Sequence, residues 1–302
     1  MKKTKNIPFF LPVLLVFFIS GCNQGQKQEA TDLLSDTLVE ASVRLDDSMV
    51  GEMISSIPNP VEMSSLLQKS GIVYSQELLN PVSNINNYNT NFKKALNLGV
   101  YGTDLVYMNI YDRTIATLKY LGNVRDLASD LRVAQFFDYQ TLNRLSESSR
   151  SIDSVLFITN SGFDGMSDYL IKQDRSNISV LISYGTWIQS MFIATNVQTV
   201  PPKSSVIHQR IGEQKMVLDN MLLLLYTYRQ DPNFQELIND LMVLKKEFEN
   251  VTISYVYAEP TMKEVDGMIV VVDNSRSEVV ISDETLANIS SIVKEIRNKI
   301  IS

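Results

Sequence analysis

Cysteine and histidine are nearly absent from this chain of 302 residues, since each occurs once, as Cys22 and His208. A single cysteine excludes an intrachain disulfide, and one residue of each type excludes a zinc site made from several Cys and His ligands. A Ser-His-Asp triad would have to use His208, but residues 205–210 contain no nucleophile turn. We therefore expect no metal, no cofactor and an ordinary surface histidine.

Clustered positive charge is also missing. The chain carries 27 Lys and Arg against 34 Asp and Glu, a formal net charge of −7. Lys2, Lys3 and Lys5 lie at its start, so the remainder is more acidic still, and Lys245-Lys246 is followed at once by Glu247. Nucleic acid and anionic lipid surfaces attract clustered Lys and Arg. The composition therefore predicts a solvated acidic surface and no nucleic-acid partner.

Residues 1–21 are typical of an export signal. The lysines at the start are followed by an apolar run from Ile7 to Ile19. At 1.5 Å per residue this run covers roughly 20 Å, which is too short for a hydrocarbon core of about 30 Å. The run therefore predicts a removable signal and not a transmembrane helix.

The signal closes with Ile19-Ser20-Gly21-Cys22, which resembles the lipobox of bacterial lipoproteins. The resemblance implies cleavage between Gly21 and Cys22, a diacylglycerol on the Cys22 sulfur, and usually a further acyl chain, such as palmitate, on the new amine. Two or more acyl chains anchor a protein stably. In enteric bacteria Asp after the cysteine retains a lipoprotein at the inner membrane, so Asn23 favours the outer membrane. The alternative is a plain secretory signal with an incidental cysteine.

The exported part divides into a tether with an N-terminal helix, residues 22–56, and a helical domain, residues 57–302. Polar residues follow Cys22, and a helical pattern is present from Thr31 to Leu45 until Asp46-Asp47-Ser48 weakens it. Asn59 is a suitable helix N-cap because Pro60 then occupies the first helical position. We therefore expect the compact body to begin near Ile57.

The body is predicted to be mainly α, a multi-helix antiparallel bundle with a small β-hairpin before the C-terminal helix. The predicted helices are Leu105 to Leu118, Ile152 to Ile171 capped by Ser151, one within 177–202, Met216 to Tyr228, Pro232 to Phe248 capped by Asp231, and a last helix capped by Asp283. No charge occurs in 177–202, but its Ser, Thr and Gln side chains are too polar for lipid. That segment is therefore predicted to be a central core helix.

The β segment is expected at about 251–282. Val251 to Tyr257 alternates and is rich in β-branched and aromatic residues, and Met268 to Val272 and Glu278 to Ser282 flank a polar turn at 273–277. That turn has the spaced oxygen ligands of a calcium loop but lacks the required glycine. An ordinary hairpin turn is therefore favoured there.

Several stretches of the body resemble an uncharacterised family of helical lipoproteins from Bacteroides-type bacteria. They are Ile57-Pro58-Asn59-Pro60-Val61-Glu62, Lys94-Ala95-Leu96-Asn97-Leu98-Gly99-Val100-Tyr101-Gly102-Thr103-Asp104-Leu105, Gly185-Thr186-Trp187-Ile188-Gln189, and the closing helix from Asp283. The resemblance spans residues 57–301. It implies fold and compartment only, because no activity is attached to the family.

The same stretches contain the candidate site. Gly99 and Gly102 cost helix stability, so we expect them to allow close approach of another backbone. The functional interpretation is a cleft lined by Tyr101, Asp104, Tyr107, Tyr111 and Trp187. The alternative is that the tyrosines only pack the core and that Asp104 is a buried, hydrogen-bonded aspartate. The second interpretation of Asp104 is favoured.

If the source is a Bacteroides-type cell, Asp-Ser/Thr followed by an apolar residue is an O-glycosylation pattern. It occurs at Asp36-Thr37-Leu38, Asp47-Ser48-Met49 and Asp153-Ser154-Val155. Thr37 and Ser48 are the predicted acceptors, because the third pattern lies inside a predicted helix.

Two functions remain open. The first is a non-enzymatic binding or structural module held on the envelope membrane, with a glycan, lipid or protein ligand. The second is a hydrolase that uses two carboxylates on glycans and needs neither His nor Cys. Asp104 and Asp112 on one helix would lie about 12 Å apart, so an acid pair must come from different helices. The binding module is favoured, since no catalytic motif is present.

Overall fold

The computed structural model describes residues 45–136, 152–198, 204–265, 268–272 and 276–302. The predicted signal, Gly21 and Cys22 at its cleavage site, the tether and Thr37 lie outside the described residues. Within the described ranges the fold is mainly α, with helices that pack against one another and small antiparallel strand pairs before the last helix. The predicted fold class is confirmed.

The helices are, in chain order, α1 Asp47–Ser55, α2 Pro60–Lys69, α3 Asn91–Ile110, α4 Thr114–Asp130, α5 Ile152–Lys172, α6 Ser176–Gln198, α7 Ser205–Tyr226, α8 Pro232–Phe248 and α9 Asp283–Ile301. Short 3-10 turns at Gln76–Leu78 and Val82–Asn87 interrupt the long connection between α2 and α3, and a third lies at Ala134–Phe136.

Helix α6 is the centre of the body and contacts α1, α2, α3, α5, α7 and α9. Its large side chains Tyr184, Trp187 and Ile188 are buried. Among the described residues, one helix is long and apolar enough to span a membrane, Ser176–Val197 within α6, but 94% of its most apolar window is buried inside the protein. The prediction of a central core helix is confirmed.

Glycines set the close contact between α3 and α6. A Cβ on Gly99 would lie 2.1 Å from the Ile182 carbonyl oxygen, and one on Gly185 would lie 2.0 Å from the Leu96 carbonyl oxygen. Neither position has room for a side chain, so each helix places a glycine against the other helix's backbone. Gly102 differs, because a Cβ there would meet the Phe163 ring at 2.7 Å. The close approach of another backbone predicted for Gly99 is confirmed, because its nearest neighbours are backbone atoms of α6.

Local capping chemistry explains several helix starts. Asn59 accepts from the Val61 N–H at 2.9 Å with Pro60 in the first position, and Asp231 caps α8 in the same way with Pro232. Both predictions are confirmed. The N-cap of the last helix lies one position before the predicted Asp283. It is Ser282, whose hydroxyl accepts from the Thr285 N–H.

The body begins before residue 57. Asp46 caps α1 by accepting from the Met49 N–H at 2.8 Å, so the acidic residues expected to weaken a helix begin one instead. Leu45 and Val50 are buried, and α1 contacts α5, α6 and α7. The predicted boundary at Ile57 therefore falls inside the body.

The predicted helix from Leu105 to Leu118 is wrong, because the chain breaks between α3 and α4. Asp112 has φ 54°, and the Arg113 N–H donates to the Met108 carbonyl at 3.0 Å. This is a Schellman ending with an aspartate at the left-handed position that glycine usually takes. The periodic apolar residues continue through the break, which is why the pattern gave one helix.

The four strands form two antiparallel pairs, which together are called the ribbon. Strand β1, Thr252–Val256, pairs antiparallel with β4, Arg276–Val280, and β2, Thr261–Val265, pairs with β3, Met268–Val272. The pairing of Val265 with Met268 leaves Asp266-Gly267 between the strands, which is a strong hairpin signal. A hairpin before the last helix is confirmed. The hairpin predicted across 273–277 is wrong, because β3 pairs with β2 and β4 pairs with β1, and residues 273–275 themselves lie outside the described residues.

Candidate functional site

The tyrosine and aspartate candidates share one stripe that runs along α3 to its C-cap, Tyr111. Tyr101, Asp104, Tyr107 and Tyr111 recur at helical spacing, and the first three are fully buried while Tyr111 is half-buried. The structure therefore brings four of the five predicted cleft residues together. It places them beneath other parts of the chain and not along an open surface.

The tyrosine hydroxyls hold the long α2–α3 connection onto this stripe. Tyr101 donates to the Pro81 carbonyl at 2.8 Å, Tyr111 donates to the Ile72 carbonyl at 2.8 Å, and Tyr107 accepts from the Ser75 N–H at 3.1 Å. The Tyr74 ring stacks on Tyr107 with centroids 5.4 Å apart. These rings therefore fasten a non-helical segment to the core, which satisfies backbone groups that would otherwise be buried without partners.

Asp104 lies in a buried polar network with residues of α6 and α9. One of its oxygens accepts from the Asn80 N–H at 2.9 Å, and the other accepts from Gln189 Nε2 at 2.6 Å. Gln189 Oε1 accepts from Arg297 Nε at 3.2 Å, and Gln189 Nε2 also donates to the Leu78 carbonyl at 2.9 Å. The network thus joins α3, α6, α9 and the connection through groups whose bonding capacity is used.

Burial controls the ionisation of this network. Removal from water raises the pKa of Asp104 to about 7, although the Asn80 N–H, the Arg297 charge and the Gln189 bond each act to lower it. Burial likewise lowers the pKa of Arg297, while Asp104 acts to raise it. The Arg297 guanidinium also lies 4.5 Å from the centre of the Phe192 ring. Because both oxygens of Asp104 are bonded within the protein, it has the surroundings of a structural aspartate, as favoured above.

The remaining candidates lie apart from this stripe. Trp187 is buried and donates from Nε1 to Gln214 Oε1 of α7 at 3.0 Å, and it borders a small cavity of about 10 Å³. Ser48 is exposed in the first turn of α1, and Asp112 is exposed at the α3–α4 break. His208 is only half-buried, but its Nε2 is sheltered and has no partner among the described residues.

A larger groove lies elsewhere, between the α1–α2 connection, α5 and α6. Its volume is about 390 Å³, and it is bordered by residues 54–60 with Glu62, by Phe163 to Asp168, and by α6 residues from Ser179 to Thr186. Binding sites for small molecules have volumes in this range. None of the five predicted cleft residues borders it.

The floor of the groove carries hydroxyl groups. The Ser167 and Ser179 hydroxyls lie 2.8 Å apart, and Ser183 and Thr186 continue along α6. Thr186 is 8% exposed, and its hydroxyl has no hydrogen-bond partner among the described residues. The same oxygen would lie 2.9 Å from a Cβ on Gly99, so it faces the α3–α6 contact, where an unpaired buried hydroxyl is costly.

The rim of the groove is acidic. Glu62 on α2 and Asp164 and Asp168 on α5 border it, and no Lys or Arg does. All three side chains are exposed. Within the described ranges, no ion pair involves any of the three, and no group of three or more His, Cys, Asp or Glu could hold a metal ion. The groove therefore has three exposed carboxylates at its rim that form no ion pair within the described ranges.

Sequence reasoning missed this groove, because three segments far apart in the chain form it and none carries a motif. The available signal was the spacing of Asp164 and Asp168, which places two like charges on one helix face, beside the small side chains Ser179, Ser183 and Thr186 on α6.

Comparisons with protein-family models, with curated proteins and with solved structures gave no match.

Proposed function

We propose that this protein is a lipid-anchored binding protein of the bacterial envelope, whose helical body presents the groove between the α1–α2 connection, α5 and α6 to a ligand. The single observation that supports a binding role is this groove of about 390 Å³. Close packing at Gly99 and Gly185 holds α6, which borders the groove, against α3, and a preformed site loses less entropy on binding.

The proposed address depends on Cys22. The lipobox-like Ile19-Ser20-Gly21-Cys22 and the charged, apolar leader before it support export, cleavage and acylation. Asn23 supports the outer membrane over the inner one. The polar tether after Cys22 would then separate the body from the bilayer.

A non-enzymatic role is favoured by the state of the buried acid. Asp104 has a perturbed pKa, which is typical of catalytic groups, but both of its oxygens accept bonds from within the protein. Its surroundings are those of a residue that joins helices. A catalytic acid needs at least one oxygen directed at the substrate.

The second candidate function is a hydrolase with two carboxylates. The observation that favours it is that Glu62 comes from α2 while Asp164 and Asp168 come from α5, so acids of different helices border one groove. Enzymatic release of a glycan product that disappears in Glu62→Gln would support it. Binding that survives without turnover supports the binding protein.

The proposed lipid anchor is tested by metabolic labelling with radioactive palmitate. We expect label in the wild-type chain and none in Cys22→Ser, with intact mass showing Cys22 as the first residue. An unmodified thiol at Cys22, or another start, contradicts the anchor. The same mass tests O-glycosylation at Thr37 and at Ser48, which is exposed on α1.

The binding role is tested by thermal shift against panels of glycans, lipids and amines. The matched variant is Ser183→Phe, which fills the groove from α6. A ligand that raises the Tm of the wild-type chain and not of Ser183→Phe supports the proposal, because binding to the native state stabilises it by mass action. Equal shifts in both chains, or no shift in any panel, contradict it.

A further inference from the structure

Strand β3 has an edge that no other strand covers. It pairs with β2 on one side, and within the described ranges no strand pairs with its other side. The extensive helix contacts of the ribbon are made by β1 and β4, on α7. The N–H and C=O groups along an uncovered edge are open to a further strand. We propose that this further strand is β3 of a second copy of the chain, in antiparallel orientation. The dimer does not depend on the proposed function of the groove.

The sequence of β3 lacks the features that protect an open edge. Proteins usually block such an edge with Lys, Pro, a bulge or an inward-facing charge. Met268–Val272 consists of five apolar residues, and its continuous register with β2 leaves no bulge. Val270 is 42% and Val271 is 62% exposed, and adjacent residues of a strand lie on opposite faces. Both faces of β3 therefore have apolar surface, and a neighbouring apolar strand would reduce its contact with water.

The absence of charge on β3 favours a second copy as the occupant. Pairing centred on Val270 places Val271 of one copy against Ile269 of the other, and all five residue pairs are apolar. A charged strand would bring like charges together across the two-fold axis, which destabilises a sheet. Strand β3 is thus complementary to itself, in a chain whose formal net charge of −7 otherwise opposes self-association.

Charge on β2 explains why the assembly would stop at two copies. Lys263 of β2 is exposed, and Glu264 follows it in the sequence. In a sheet of order β2-β3-β3-β2 the uncharged strands lie inside and the charged strands lie outside, where lysine is a common means of blocking an edge. Such a pair closes on itself and does not continue into a fibre. It also gives four strands, whereas a two-stranded pair alone is marginally stable.

The expected association is weak, because only one short strand from each copy contributes to it. Stable interfaces bury roughly 1,200–2,000 Å² in total, which is more than a single pair of five-residue strands provides. We therefore expect a Kd on the order of 10–100 µM. Well below this concentration the chain should be a monomer with the edge of β3 open to water.

The test is sedimentation velocity on the full-length chain in nonionic detergent, over concentrations that span this Kd. We expect a monomer that converts to a dimer, and to nothing larger, as the concentration rises. Val270→Lys should abolish the dimer, because the two-fold axis would bring two lysines together. Met262→Lys, on β2 at a residue 76% exposed, is the matched control and should leave the dimer intact.

Disulfide crosslinking tests the register without adding charge to the strand. Residues that face each other across an antiparallel pair have Cα atoms about 4.5–5.5 Å apart, within the range of a disulfide. In a Cys22→Ser background, Val270→Cys should therefore form a covalent dimer under copper phenanthroline oxidation. Met262→Cys should not, because β2 lies on the outer side of the proposed sheet.

A monomer at every concentration overturns the inference, as does a dimer that survives Val270→Lys or is equally lost in Met262→Lys. Equal crosslinking of Val270→Cys and Met262→Cys contradicts the register, and oligomers that grow without limit contradict the closed pair. Binding to phosphatidylcholine vesicles that Val270→Lys abolishes, with no dimer in solution, would assign the edge to a lipid surface instead.

Discussion

The contact of α3 with α6 and the ribbon of β1 to β4 use apolar residues in opposite ways. Along α6, Val180, Ile188 and Trp187 are at most 1% exposed. On the ribbon, Met262 is 76% and Val271 is 62% exposed. Local apolarity therefore does not report burial in this protein, and what decides burial is whether another element can approach.

In the core, glycine lets one helix approach another closely. On the ribbon, contact with a helix is limited to strands β1 and β4. A Cβ on Gly212 of α7 would lie 2.2 Å from Val279 of β4, and Lys215 of α7 donates to the Val251 carbonyl at 2.7 Å. Strands β1 and β4 thus rest on α7. A two-stranded pair alone is marginally stable in water, so we expect β2 and β3 to contribute little to the stability of the body.

The largest expected effect is at the α3–α6 contact. Gly185→Ala places a Cβ 2.0 Å from the Leu96 carbonyl oxygen, and backbone must move to admit it. We expect the free energy of unfolding to fall by at least about 3 kcal/mol, at the upper end for overpacking. Urea denaturation followed by circular dichroism measures this.

Gly122→Ala is the matched control, because a Cβ there would meet no atom within 4 Å beyond its chain neighbours and its own helix backbone, and the residue is inside α4. It should stabilise the protein by about 0.5–1 kcal/mol through helix propensity. Similar effects of the two substitutions would contradict the close contact.

The buried network should be nearly as sensitive. Gln189→Leu removes the acceptor of Arg297 Nε and a donor to Asp104, and leaves two buried charged groups with fewer partners. We expect a loss of about 2–3 kcal/mol, measured by the same urea titration. A neutral outcome would show that water replaces the amide and that the network does not hold α3, α6 and α9 together.

The pH dependence follows from the raised pKa of Asp104, about 7 in the folded protein against 3.8 as its ordinary value. The folded state binds this proton more tightly than the unfolded state does. Protonated Asp104 therefore contributes to the free energy of unfolding fully below pH 3.8, and this contribution is lost as pH rises through about 7. Between pH 5 and 8 we expect a loss on the order of 2 kcal/mol. Asp104→Asn should flatten this window, and an unchanged slope in that variant would assign the dependence to other groups.

The smallest effect is expected on the ribbon. Val271→Ala, at a residue 62% exposed, should change the free energy of unfolding by less than about 0.5 kcal/mol. The matched Val180→Ala on α6, at 0% exposure, should cost about 2 kcal/mol. Equal costs would mean that β3 is covered by another surface in solution.

Sequence reasoning succeeded where one segment contains its own signal. Asn59 with Pro60 and Asp231 with Pro232 each hold a cap and a first-turn proline within two positions, and both helices start there. Gly99 in a helical pattern predicted a close backbone contact, which the Ile182 carbonyl provides. In these places local chemistry and tertiary packing agree.

Sequence reasoning failed at helix ends where another residue replaces the usual glycine. Two positions after the last residue of α3, α4 and α5 the chain has a residue at positive φ, which is Asp112, Arg132 and Asp174 in turn. In each case the next N–H donates back to the last turn of the helix. Glycine is the expected residue at such positions, so the ends carry no readable signal. Aspartate adopts this left-handed conformation more readily than most residues, because its short polar side chain can form a local hydrogen bond.

The candidate site was predictable in part. The burial of Asp104 followed from its apolar neighbours on α3, whereas its partners Gln189 and Arg297 lie far along the chain. The groove was even less predictable from the sequence, because Glu62, Asp164 and Thr186 form no recognisable motif in their own segments. Only the packing of α2, α5 and α6 makes them neighbours.

Hydrogen–deuterium exchange on the full-length protein tests the difference between the α3–α6 contact and the ribbon most directly. We expect α3 and α6 to exchange slowest and β2 and β3 to exchange far faster. Equal exchange rates in α6 and β3 would contradict the close packing of α3 on α6.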